Sequence, residues 1–315
     1  MNNKQEQQYI DLLNKVLDEG CKKQLKYGDR VLDEYCISLF GESLKFDCRD
    51  WTLPLYTHRK INWKNGLKEM LWFIEGSGDV IKLHNSGVKF WDEWGVKYFN
   101  QINSNNLSLE EYRTEIKKGC INRLILPLHY TNSTNLNVLT NIGYSLNQTK
   151  WVIDTLRKNP NARHGVVQYW RPEDTYEMAR ELDRESVILP ACHFTYVVNI
   201  NHDLVCLDVK IRSNDLILGN PTNVSQYAFL LFMYAKCLNR EPGWLKIDIT
   251  DAHIYSNQIP ILEKVDFSNL HSFPKVKISD KKYNYLENFR FEDFSVLDYK
   301  CNKGVNFPIT VVGGY

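Results

Sequence analysis

Apolar residues in the first twenty positions recur at helical spacing. Ile10, Leu12, Leu13, Val16 and Leu17 share one side of Tyr9–Gly20, and Gly20 supplies a stop. Tyr35–Phe46 (YCISLFGESLKF) predicts a strand, and Gly66–Gly76 (GLKEMLWFIEG) predicts an apolar helix that carries one carboxylate, Glu69. From Gly95 to Asn122 the text turns polar and Asn-rich, predicting an inserted surface segment with one short helix. Leu139–Asn159 predicts an amphipathic helix that runs into a turn and strand across NPNARHGVVQYW. Thr195–Val198 and Leu204–Ile211 alternate as paired strands around the turn Asn201–Asp203, whereas Val224–Leu238 is almost charge-free, as a central buried helix is. The stretch from Lys282 (KYNYLENFRFEDFSVLDYK) predicts aromatic strands and a Gly-rich apolar tail. With no internal repeat or low-complexity linker, residues 1–315 read as one α+β domain, a mixed or antiparallel sheet packed with helices.

Bulk chemistry narrows the options. The 315 residues are 43% hydrophobic and 24% charged, ordinary values for a soluble globular chain able to bury a sizeable core. Thirty-nine basic and 38 acidic side chains leave a net charge of +1, so no basic footprint points to nucleic acid or an anionic membrane. No apolar run approaches the ~20 residues of a membrane span. The start, MNNKQEQQYIDLL, is polar and then amphipathic, unlike a secretory signal. The eight cysteines form no CxxC pair, which argues against a metal site and a disulfide framework and for a cytosolic compartment.

Candidate chemistry concentrates in Leu189–Asn257. Cys192 lies between Ala191 and His193 at the head of a strand-like run. A cysteine is a strong nucleophile only as thiolate, which nearby positive charge favours; Arg212 and His193 are the suppliers at hand. Arg212 with Ser213 offers a guanidinium fork and a hydroxyl, a grip for a phosphate monoester, and Arg30 and Arg163 are further arginines in turn contexts. Asn223 is either the N-cap of the Val224–Leu238 helix or an amide reader that accepts from an N–H and donates to a carbonyl, the pair a uracil edge presents. His253 and Tyr255, two apart on a strand, face one side and serve either a sugar hydroxyl or the core. Glu69, on so apolar a helix, must be paired or functional, and burial raises its pKa toward proton-transfer duty.

In this order KVLDEG (Lys15–Gly20), ISLFG (Ile37–Gly41), EMLWF (Glu69–Phe73), FWDEW (Phe90–Trp94), PACH (Pro190–His193), RSND (Arg212–Asp215), GNPTN (Gly219–Asn223) and DAHIYSN (Asp251–Asn257) resemble the thymidylate synthase superfamily from end to end, the 95–122 insertion apart. The resemblance implies that family's single domain, with the sheet forming a homodimer interface. It also implies one-carbon transfer from 5,10-methylenetetrahydrofolate to C5 of a pyrimidine mononucleotide, dUMP foremost. Carried over by position, Cys192 adds to C6 of the base. Arg30, Arg163, Arg212 and Ser213 hold phosphate, some arginine coming across the dimer interface. His193 lies with the nucleotide, Asn223 reads the base, and His253 and Tyr255 hold the 3′-hydroxyl. Glu69, Trp91, Asp215 and Gly219 line the folate and its proton-relay water, and Tyr130 stands where the family keeps a catalytic tyrosine.

The departures are equally specific. Lys210-Ile211 replaces Tyr-Gln before the Arg-Ser pair, Thr222 replaces Phe, His164 replaces the second arginine of a pair, and the usual sequel to Tyr130 is missing. The turn after Arg30 reads VLDEYC, and the tail that closes over folate in synthases is Val311–Tyr315. RSND and the Tyr169–Pro172 strand end are similar to the phage pyrimidine hydroxymethylases, a sister branch in which water, not a folate hydride, quenches the exocyclic methylene. The leading expectation is therefore 5-hydroxymethyl-dUMP, in a bacterial or phage-infected cytoplasm. The alternatives are dTMP, a cytosine or ribonucleotide substrate, or a nucleotide-binding homologue with weak catalysis. Asn223 favours uracil because cytosine enzymes of this kind carry Asp there.

Overall fold

The structure, a computed structural model, describes residues 3–27, 30–130, 138–139, 145–183 and 185–310. Its first helix, α1 (Lys4–Glu19), begins earlier than the apolar spacing predicts. Asn3 caps it, its side chain accepting from the Glu6 amide at 3.3 Å. Glu6 itself is fully buried, accepting from the Thr57 and His58 amides at 2.7 and 2.8 Å and from the Thr57 hydroxyl at 2.6 Å. A polar first turn is thus an internal one. The helix stops at Gly20, whose N–H donates to the Val16 carbonyl at 3.0 Å. A Cβ at Gly20 would sit 2.4 Å from that carbonyl oxygen and 2.6 Å from Ile37 Cγ2, so only glycine fits the approach.

Among the described residues, seven strands make a mixed sheet: β1 (Cys21–Tyr27), β2 (Arg30–Asp47), β3 (Val166–Gln168), β4 (His193–Asn201), β5 (Leu204–Ile211), β6 (Asn214–Asp215) and β7 (Glu241–Tyr255). The order is β1-β2-β7-β5-β4-β3, with β6 added on β7. Neighbours are antiparallel except β5 and β6, which run parallel to β7. Parallel neighbours need a crossover, here the helix Gly219–Leu238. Phe229, Leu230, Leu231, Phe232, Met233 and Tyr234 on this helix have no solvent exposure, so it is apolar all round because it is enclosed all round. Along β5, buried and half-buried residues alternate strictly, which leaves one sheet face packed and the other open.

The predicted helix Gly66–Gly76 is α2 (Trp63–Glu75), closed by Gly76 in the left-handed region at φ 67°. The helix foreseen over Leu139–Asn159 occupies only Gln148–Lys158. Two expectations need correction. The 95–122 segment holds not one short helix but most of one, Asp92–Asn103, and the whole of another, Leu109–Lys117. Tyr112 and Ile116 bury into the main core, and the Asp92 carboxylate ties the pair together, accepting from His84 and Arg113, each at 2.8 Å. The C-terminal aromatic stretch is not a run of strands. It folds as 3₁₀ turns at Leu286–Asn288 and Phe291–Asp293 plus one short strand, Phe294–Leu297, because Tyr283 stacks on Phe289 with centroids 3.8 Å apart. Two long-range bonds brace the turn ahead of the crossover helix: Tyr9 donates to the Leu216 carbonyl at 2.9 Å, and Arg59 to that of Ile217 at 2.5 Å.

Candidate functional site

The chemistry-bearing residues gather at one end of the sheet because of strand direction. The parallel strands β5 and β7 end there, at Ile211 and Tyr255, while the antiparallel β4 begins there, His193 pairing with Ile211. Cys192, Arg212, Ser213, His253 and Tyr255 therefore share that end, along with the start of the crossover helix and the turn Leu216–Leu218. Strand termini of an open sheet are where ligands bind in many α/β folds.

Cys192 and Arg212 meet as foreseen. Cys192 is half-buried, and its Sγ lies 3.9 Å from Arg212 Nη2. The same guanidinium donates to the Ala191 and Pro190 carbonyls at 3.0 and 2.8 Å and lies 5.8 Å from the Trp170 ring centroid. Its Nη1 makes no hydrogen bond among the described residues, leaving an edge for an anion. Burial pushes the thiol above its ordinary pKa, and Arg212 works against that. His193 does not help, contrary to expectation. Burial lowers its pKa to about 3, and its ring is packed on Tyr130 at 4.8 Å with Nδ1 bonded to the Tyr227 hydroxyl at 2.6 Å. A neutral, enclosed imidazole cannot supply the cation, so the duty falls on Arg212.

Glu69 is buried, and that burial raises its pKa to about 7 although two hydrogen bonds oppose the rise. Trp91 Nε1 donates to one carboxylate oxygen at 2.7 Å, and Gln226 Nε2 donates to the other at 2.5 Å. Gln226 in turn accepts from Asn223 Nδ2 at 3.0 Å, and Asn223 Oδ1 accepts from Asn214 Nδ2 at 3.0 Å. Asn214 Oδ1 accepts from Asn220 at 2.8 Å, and Asn220 Oδ1 from the Tyr56 hydroxyl at 3.0 Å. The N-cap alternative for Asn223 fails, because the helix starts at Gly219 and Asn223 is inside it, half-buried. Gly219 packs against this line of amides: a Cβ there would meet Asn214 Nδ2 at 3.4 Å and Asn223 Oδ1 at 3.6 Å. In the sequence Asn214 and Asn220 stand out only as members of the RSND and GNPTN motifs, with no role of their own, and Gln226 not at all. Their signal was an unusual density of amides at the mouth of an apolar helix.

The remaining candidates divide. Asp215 accepts from the Ile217 and Leu218 amides at 2.8 and 3.0 Å and from Gln258 at 3.1 Å, so it holds the turn while staying half-buried at the site. His253 and Tyr255 lie together, ring centroids 5.0 Å apart, with Asp251 Oδ1 3.0 Å from His253 Nδ1. Trp91 and Trp94, half-buried, present an indole pair 5.7 Å apart beside Glu69. Tyr130 is buried behind β4, its hydroxyl donating to the His193 carbonyl at 3.3 Å. Arg163 is exposed in the turn before the edge strand β3, on a different element from the thiol cluster. The side chain of Arg30 and the tail Val311–Tyr315 lie outside the described residues.

A family model described as thymidylate synthase matches residues 7–311. A thymidylate synthase of Saccharomyces cerevisiae is 30% identical over 325 aligned positions, covering 98% of each chain. One from Mycoplasma mobile is 29% identical over 310, covering 97% of this chain and 100% of the relative. The bifunctional dihydrofolate reductase-thymidylate synthase of Leishmania major is 28% identical over 98% of this chain and 56% of its own length.

Proposed function

The chain belongs to the thymidylate synthase family, and on that footing we propose that it methylates dUMP at C5, with 5,10-methylenetetrahydrofolate as cosubstrate, to give dTMP and dihydrofolate. The observation that carries the reading is the Cys192–Arg212 contact at the mouth of a site that also holds Asn223, Glu69 and the Trp91–Trp94 pair. Arg212, with Ser213, grips the phosphate, and the thiol of Cys192 adds to C6 of the ring. That addition places electron density on C5, which attacks the folate methylene carbon. Departure of the C5 proton and of the folate nitrogen leaves an exocyclic methylene, which a hydride from the folate reduces to methyl as the thiolate leaves C6. The half-buried indoles suit a flat pterin ring, and Asp215 and Glu69 suit its N–H groups.

The sequence alone favoured the hydroxymethyl product, and dTMP now takes its place. The relatives are named as synthases, and the Trp91–Trp94 indole pair beside Glu69 would keep a quenching water from the methylene. An assay of dUMP with methylenetetrahydrofolate tests the choice. The expected result is a rise in near-ultraviolet absorbance from dihydrofolate and the mass of dTMP. A product heavier than dTMP by one oxygen, with no absorbance rise, would restore hydroxymethylation.

A homodimer through the open sheet face belongs to the same proposal. Val166 is exposed on the edge strand, and along β5 every second residue, Asp208 among them, is left half-buried on the open face. Arg163, beside the edge strand, then reaches a partner's phosphate site. All eight cysteines are free thiols, which suits a reducing cytoplasm.

A further inference from the structure

We propose that Asn214 and Gln226 are specificity-determining positioning residues: they hold the Asn223 amide in the one orientation that reads uracil and refuses cytosine. The inference rests on the dUMP reading above and deepens it.

The hydrogen bonds from Tyr56 to Glu69 all point the same way, each side-chain NH₂ donating to the next acceptor. The direction is imposed at the Glu69 end. An ionised carboxylate only accepts, and its other oxygen already receives the indole N–H of Trp91, itself a donor only. Gln226 must therefore turn its NH₂ toward Glu69 and its carbonyl toward Asn223. Asn223 must then turn its NH₂ toward Gln226 and its carbonyl toward the NH₂ of Asn214.

Each Asn223 group has capacity for one more bond, a second lone pair on Oδ1 and a second hydrogen on Nδ2. That remainder accepts from N3–H and donates to O4, the edge of uracil. Cytosine presents the reverse, an acceptor at N3 and a donor at N4, and needs the amide flipped. A flip of Asn223 alone would set NH₂ against the NH₂ of Asn214 and carbonyl against the carbonyl of Gln226. An asparagine free to rotate discriminates poorly between the two bases, whereas one held between a donor and an acceptor discriminates well. Asn214 and Gln226 are both buried, so water cannot replace either partner.

The test is the ratio of dissociation constants for dCMP and dUMP, measured by calorimetry without folate near pH ~8.5, where Glu69 is ionised. Asn214→Asp keeps the size and the bond from Asn220 but presents an acceptor to Asn223. Gln226→Met keeps the volume and removes both bonds. The parent should prefer dUMP by about a hundredfold or more, and each variant should lower that ratio by at least about tenfold, chiefly through tighter dCMP binding. Loss of packing alone would weaken both nucleotides together and leave the ratio unmoved. A ratio within about twofold of the parent's in both variants, each folded by circular dichroism and still binding dUMP, overturns the inference but leaves the methylation reading standing. A parent that binds neither nucleotide overturns both.

Discussion

Two sides of the candidate site are built to opposite standards. On the Glu69 side, every polar atom from Tyr56 to Trp91 meets a partner at 2.5–3.0 Å, and nothing can turn without its neighbours. On the Cys192 side the only hydrogen bond to the thiol among the described residues is a 3.9 Å approach from Arg212, and burial raises the thiol pKa against the pull of that cation. Rigidity has been placed where a base must be recognised, and slack where a bond must form and break. A nucleophile saturated with hydrogen bonds would react poorly, and a reader without them would misread.

The contrast can be broken most severely at the sulfur. Cys192→Ser should lower turnover by at least about 10⁴-fold while leaving dUMP affinity within about tenfold, ~1.4 kcal/mol. Steady-state assay beside calorimetry checks both halves, and retained turnover would sink the covalent mechanism. Arg212→Gln should weaken dUMP binding by about a hundredfold and slow alkylation of Cys192 by iodoacetamide at pH ~8, since the cation opposing the raised thiol pKa is gone. Unchanged alkylation would mean another group governs the thiol.

The carboxylate gives a smaller, pH-dependent effect. In the native state Glu69 keeps its proton up to about 7, against an ordinary value of 4.5. Between those values the folded chain binds more protons than the unfolded one, so stability falls as pH rises through that window and levels off above it. The loss attributable to Glu69 is on the order of 3 kcal/mol, and Glu69→Gln should flatten it in thermal or urea unfolding across that range. An identical slope in the variant would show that Glu69 does not titrate there. The mildest change, Trp91→Phe, removes one donor from the carboxylate and should cost about 1 kcal/mol while raising the Glu69 pKa further. A lowered pKa, followed by carboxyl NMR, would contradict the assigned contact.

What could be read from the chain alone follows from how local each cause is. The crossover helix announced itself because an unbroken apolar run has few homes other than the interior. The β4–β5 hairpin showed in its alternation. The first turn of α1 did not, since Glu6 is made internal by amides some fifty positions away. The polar composition of 95–122 hid two helices whose buried contacts rest on few residues, Tyr112 and Ile116 among them. In the site, Cys192 and Arg212 were legible by residue type and their mutual spacing along two strands. The failure of His193 as a cation was not, because it depends on the aromatic rings that enclose it. The amide line escaped notice for the same reason: Glu69 and Gln226 are separated by 157 residues and only the packed fold joins them.

The bond from Tyr9 to the Leu216 carbonyl spans 207 residues. A ribosome delivers the hydroxyl long before it delivers the acceptor, and closing so wide a loop is slow by its entropy. Through most of synthesis the ring of Tyr9 has Tyr56 and His58 to stack on, but its hydroxyl lacks its acceptor. Asp215 can hold the turn locally, but its brace to the first helix waits on a late, chain-wide closure, and a truncated nascent product holds its sulfur without that brace.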